Sequence, residues 1–212
     1  MTSLFIKGGP VMYALLACSI ITTTVIIERV LFWIREDLHR DRALVYNILE
    51  LSRKGDWEAI RQQVMGSKDY VIRILIAGIV HRDFSMTKAM ESAAADQVKR
   101  MRRYLYILDT MVTIAPLLGI FGTVTGVMTS FEALGISGIE RPFAVTAGIA
   151  EVLICTASGL AIAIPSVFFY NYFNSKTEAA VVTIEKYATS LEIVYEKLVQ
   201  ESKGKGDGLR EG

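Results

Sequence analysis

The chain has 212 residues, 52% of them apolar and 21% charged, with a mean hydropathy of +0.38. Those values place it among membrane proteins before soluble domains. With 23 lysines and arginines against 22 acids, and a net charge of +1, the balance excludes a polyanionic partner, and no nucleic-acid-binding stripe is present.

The first apolar run is charge-free from Pro10 to Ile27 and resumes at Val30 to Ile34 beyond Glu28 and Arg29. About 20 residues at 1.5 Å rise cross a hydrocarbon core of ~30 Å, so this run predicts a transmembrane helix within 1–35. The Leu15-Leu16-Ala17-Cys18 sequence resembles a lipoprotein processing box, but apolar residues continue well past Cys18, and an uncleaved anchor is expected. Cys18 and Cys155 both lie in apolar runs and read as small buried hydrophobes.

Residues 36–105 read as a cytoplasmic helical segment punctuated by Gly55-Asp56 and Gly66-Ser67. Asp56 and Ser85 each precede a run of good helix formers and are expected to be N-caps. No proline or glycine interrupts the pattern between Met86 and Pro116, which predicts one helix from Met86 to Leu134, about 70 Å long.

A second charge-free run covers Thr110 to Phe131, yet it is rich in hydroxyls and glycines. Pro116, Gly119, Thr123, Gly126 and Ser130 recur at 3-4-3-4 spacing and share one helix face. Gly122 and Gly126 form a G-x-x-x-G pair, so tight helix packing is one reading of this stripe; the wall of a polar path is the other.

The third run, Pro142 to Ser175, holds one charge, Glu151. An ionised carboxylate facing lipid is costly, so Glu151 must face protein or water, unless it lies at the outer mouth and bonds a neighbour there. Thr156 lies about 140° further around the helix, on a face with Val152, Gly159 and Ala163. Residues 106–175 therefore form a pair of spans, with Thr123 and Thr156 as candidates for the wall of a polar path and Glu151 turned to protein or water. A single chain with three spans encloses no pore, so several copies and a further helix are expected.

Beyond the spans, Ile184, Ala188, Leu191, Tyr195 and Leu198 make an apolar seam that wants a partner helix within 176–201. Residues 202–212 read as a disordered tail. Fourteen basic residues lie between Arg35 and Arg103 and six after Ser175, against Lys7 before the first span and Arg141 in the outer connection. That asymmetry puts the N-terminus outside and the C-terminus in the cytoplasm. Glu28, Arg29, Arg102, Arg103 and Asp109 are expected to anchor the cytoplasmic interface. There is no phosphate-binding loop, His39 and His81 lack metal-ligand spacing, and neither enzyme activity, cofactor nor metal is expected.

LLGIFGTVTGVMTSF, followed by GIAEVLICTASGLAIAIPSVFFYNYF, resembles the proton-channel family containing ExbB, TolQ and MotA. GGPVMYALLACSI and IIERVLFW make the ExbB and TolQ branch the nearer one. The resemblance implies an all-α fold with three transmembrane helices, the second and third extending into a cytoplasmic helical domain. It implies a homo-oligomer, a pentamer, in the bacterial inner membrane around single-span ExbD- or TolR-like subunits whose helix carries an aspartate. It further implies proton-driven rotation that delivers work to a TonB- or TolA-like partner, with Thr123, Glu151 and Thr156 at the pore-facing positions. On this reading a smooth small-residue wall lets a central helix slide, and Gly119 or Gly126 to Leu should stop work without preventing assembly. The rivals are an oligomeric membrane scaffold without ion conduction and a channel that needs no partner.

Overall fold

The computed structural model describes the backbone of residues 9–137 and 142–207 and the side chains of residues 9–132 and 152–201. Among these the chain is all-α. The helices, in order, are α1 (Val11–Leu38), α2 (Arg42–Lys54), α3 (Trp57–Gln63), α4 (Tyr70–Val80), α5 (Arg82–Met101), α6 (Leu105–Ser137) and α7 (Pro142–Asp207). Stretches of α1, α6 and α7 are long and apolar enough to cross a bilayer. The molecule is thus a multi-pass membrane protein with an additional helical region outside the spans. The chain forms two compact units, Met1–Val30 with Tyr104–Asn174, and Leu31–Arg103 with Ser175–Gly212.

In the first unit, Val11, Leu15, Cys18, Thr22, Val25 and Arg29 are buried along one face of α1 at 4-3-4-3-4 spacing. Val11, Met12, Leu15 and Cys155 form a core cluster against which Leu118 and Ile162 pack. A Cβ built on Gly122 would lie 3.2 Å from Val11 Cγ1. Eighteen residues further along α1, the Arg29 guanidinium lies 5.7 Å from the centre of the ring of Tyr104, eighteen residues before Gly122 and immediately ahead of α6. These two contacts fix an antiparallel register between α1 and α6. Outward from this packing stand Leu117, Phe121, Met128, Leu160, Ile164 and Phe168, all exposed in the single chain. Large apolar side chains on that face suit lipid or further copies, not water.

In the second unit the apolar helix α4 buries Val71, Ile72, Ile74 and Leu75 almost completely. It packs on α5 and α2, and α2 packs on α3. Gly78 makes room for the neighbouring helix: a Cβ there would come within 2.5 Å of Met90 Cγ. Three aspartates start the helices. Asp41, Asp56 and Asp69 accept hydrogen bonds from the backbone N–H groups of Leu44, Ala59 and Val71 at 2.9, 3.1 and 2.8 Å, so the expected Asp56 cap is present. Asp69 is fully buried and also accepts from the Asp41 N–H at 2.9 Å, joining the starts of α2 and α4. Arg40 approaches its other oxygen at 3.5 Å and stacks 4.6 Å from the Tyr70 ring centre. Burial pushes the Tyr70 phenol above its ordinary range, so Arg40 meets a neutral ring.

The apolar seam of the tail finds its partners inside this unit. Ile184, Tyr187 and Leu191 are buried, the Tyr187 ring meets Tyr46 of α2 at 5.9 Å, and the Tyr195 ring meets Trp57 of α3 at 6.3 Å. Tyr195 Oη donates to the Arg82 carbonyl at 3.0 Å.

The structure departs from the expected helix of Met86 to Leu134. Helix α5 ends at Met101, and α6 starts at Leu105. Between them Tyr104 is left-handed, with φ 65°, a conformation that disfavours any side chain with a Cβ and that ends the run of helical hydrogen bonds without help from glycine or proline. Ser85, expected to cap, has an extended backbone (φ −163°, ψ 85°) that breaks α5 near its start. Helix α7 continues through Pro165 and is helical as far as Asp207, within the segment expected to be disordered; residues 208–212 lie outside the described residues.

Candidate functional site

Hydroxyls in membrane helices usually bond to their own backbone, and most on α6 do. Thr125 donates to Phe121 O at 3.0 Å, Thr129 to Thr125 O at 3.0 Å and Ser130 to Gly126 O at 2.9 Å. Thr123 and Thr156 add a bond between helices. Their hydroxyl oxygens are 2.5 Å apart, one on α6 and one on α7. Thr123 Oγ1 is also within donating distance of Gly119 O at 3.0 Å and Val152 O at 3.2 Å, and Thr156 Oγ1 of Gly119 O at 3.4 Å.

Two hydroxyl protons therefore serve a chain that can point either way. Thr156 donates to Thr123, which donates to a carbonyl, or Thr123 donates to Thr156, which donates to Gly119 O. Both residues are half-buried. A pair of this kind can reorient by rotating two O–H bonds and can carry a hydrogen-bonded water or proton donor on its open side.

What brings the two helices this close is the absence of side chains. A Cβ on Gly119 would lie 2.9 Å from the Cys155 carbonyl oxygen and 3.1 Å from Thr156 Cα, and one on Gly159 would lie 2.5 Å from the Ala115 carbonyl oxygen. A Cβ on Gly126 would collide with Val152 Cγ2, and one on Gly122 would lie 3.0 Å from Cys155 Cβ. Because the obstructing atoms at Gly119 and Gly159 are backbone, no rotamer change relieves the clash.

Gly119, Gly122, Gly126 and Gly159 thus serve packing within one chain. Ala163 is buried, whereas Pro116 and Ser130 are half-buried at the margin. Leucine at Gly119 would have to part α6 from α7 within one chain, and leucine at Gly126 would have to displace the Val152 side chain. Sequence reading placed Val152 on the Thr156 face but missed Cys155 as part of the α7 surface that the glycines receive; its four-residue spacing to Gly159 was the available signal.

The Glu151 side chain lies outside the described residues; its backbone is in α7, next to Val152, whose carbonyl faces Thr123. Glu28 and Arg29 form a two-pronged ion pair, with Arg29 Nη2 donating to Glu28 Oε1 at 2.7 Å. Arg29 is 1% exposed, so its guanidinium is held within the helix packing. Arg102, Arg103 and Asp109 are exposed. Among the described residues no group of three or more His, Cys, Asp or Glu converges as a metal would require.

Sequence comparison with known proteins finds several relatives. Over 195 residues the chain is 32% identical to the ExbB-like 3 biopolymer transport protein of Synechocystis sp., covering 90% of this chain and 92% of that one. It is 33% identical over 201 residues to the ExbB-like 1 protein of the same organism, covering 92% of this chain and 78% of the relative. Over 117 residues it is 33% identical to the Tol-Pal system protein TolQ of Pseudomonas aeruginosa, covering 55% of this chain and 51% of TolQ. Residues 68–186, which include α6, the Thr123–Thr156 pair and the start of the α7 seam, match the MotA/TolQ/ExbB proton channel family, and with full-length relatives of the same kind the chain belongs to that family.

Proposed function

We propose that this chain is the pore-forming subunit of a bacterial inner-membrane proton motor, which turns proton-motive force into mechanical work on an envelope partner through TonB-type uptake or Tol-type envelope maintenance. Several copies, five on the family pattern, surround a single-span ExbD- or TolR-like subunit. That subunit's membrane aspartate exchanges protons along a path lined by Thr123, Glu151 and Thr156. The N-terminus is periplasmic and the C-terminus cytoplasmic, a reading that the asymmetry of basic residues supports. On this reading 1–35 and 106–175 lie in the membrane, and 36–105 and 176–201 form the cytoplasmic part.

The observation that supports this most is the Thr123–Thr156 pair, since two hydroxyls facing each other across a glycine-bounded seam can hand a proton either way. The glycine contacts, taken alone, favour the rival of a scaffold without conduction. One experiment separates the two. Thr123→Val and Thr156→Val keep side-chain shape and remove the hydroxyls, and are tested with the partner subunit present. A proton path loses partner-dependent proton flux at unchanged assembly, whereas a scaffold keeps its assembly and any work it supports. Unchanged flux in both variants would sink the proposal.

A further inference from the structure

Thr22 is 4% exposed on the inward face of α1, and its hydroxyl has no hydrogen-bond partner among the described residues. Its neighbour Thr24 shows the ordinary solution, donating to Ile20 O at 2.7 Å within its own helix. Thr22 does not take it. An orphaned hydroxyl inside a membrane protein is costly, and unlike a surface group it has no bulk water to turn to.

The helix register shows what lies opposite. Val11 meets Gly122, and Arg29 meets Tyr104, so Thr22 falls level with Met111 and Val112 of α6. Gly126 meets Val152 and Gly159 meets Ala115, so the same level on α7 falls within residues 162–167, where Ser166 lies. Ser166 is fully buried, and its hydroxyl donates to Ile162 O at 2.8 Å, which leaves its oxygen lone pairs to accept. On α6, Pro116 has no N–H to give to the Val112 carbonyl four residues earlier, so that acceptor is released from its own helix. One donor without a partner, one hydroxyl with spare acceptor capacity and one released carbonyl thus come from three different helices at one depth.

We infer that this layer holds a buried water molecule, bonded by Thr22 Oγ1, Ser166 Oγ and the Val112 carbonyl. A site for a single water needs two to four polar partners, and buried waters characteristically join groups that the fold leaves unsatisfied. The water ties α1 to the α6–α7 pair at a level where neither glycine contacts nor the Thr123–Thr156 pair reach. It is independent of whether the chain conducts protons.

Thr22→Val decides the matter, because it keeps the shape and deletes only the hydroxyl. If that hydroxyl is an orphan, valine raises the thermal midpoint of the detergent-solubilised complex or leaves it unchanged, and the proposal is overturned. If the hydroxyl holds a water, valine lowers the midpoint by about 2–4 °C. Ser166→Ala then adds less in the Thr22→Val background than in the wild type, since both remove the same bridge. In a density map that resolves ordered water, the wild type and Thr22→Ser should show a peak within hydrogen-bonding distance of positions 22 and 166, absent in Thr22→Val. A dry layer in the wild-type map would also overturn the site.

Discussion

At the scale of single residues, the close passage of α6 and α7 rests on positions where even one methyl group is too many. Gly159→Ala places its Cβ against the Ala115 carbonyl oxygen, an overpacking contact expected to cost about 1–3 kcal/mol. The measurement is thermal unfolding of the purified oligomer, and an unchanged midpoint would mean that the helices separate more easily than the geometry allows. Thr123 and Thr156 share one hydrogen bond, so their valine variants should not add. Each single change is expected to cost about 1 kcal/mol, with a coupling on the order of 0.6 kcal/mol recovered in the double variant, by the same unfolding assay. Additive losses would show that the two hydroxyls act separately.

At the scale of elements, the clearest organiser is the buried carboxylate of Asp69, which holds the first turns of α2 and α4 together. Asp69→Ala leaves the Val71 and Asp41 N–H groups without their acceptor, and a loss of about 1–3 kcal/mol is expected. Amide exchange at residues 41–44 and 70–73 should quicken together; quickening in α4 alone would show that the bond to Asp41 contributes nothing. Much at this scale was legible in the sequence. The three spans were visible because charge-free runs of sufficient length have no other stable home, and the tail seam was visible because its spacing is helical. The break at Tyr104 was not, since sequence signals for helix ends rely on glycine, proline or caps, and a tyrosine in the left-handed region carries none of them. The glycine stripe was found, but not its direction. Periodicity gives a face, and only the partner helix tells whether that face meets a neighbour of the same chain or an open path.

At the scale of the whole molecule, the single chain presents a membrane surface of exposed Leu, Ile, Val, Phe and Met on α6 and α7, while its hydroxyl pair stays half-buried. Under the proposed function the conducting path needs further copies and a foreign helix. Proteoliposomes that contain this chain alone should therefore pass protons no faster than empty vesicles, and adding the single-span aspartate-bearing subunit should raise the flux. Strong flux from the chain alone would favour a self-sufficient channel.

The Thr123 hydroxyl has an acceptor in its own helix, the Gly119 carbonyl, as well as across the seam. A nascent α6 can therefore enter the bilayer before α7 has been synthesised, without stranding that polar group in hydrocarbon. When α7 arrives, the hydroxyl keeps the Gly119 carbonyl within reach and gains Thr156 and the Val152 carbonyl as further partners, so α7 adds choices at this position and strands nothing.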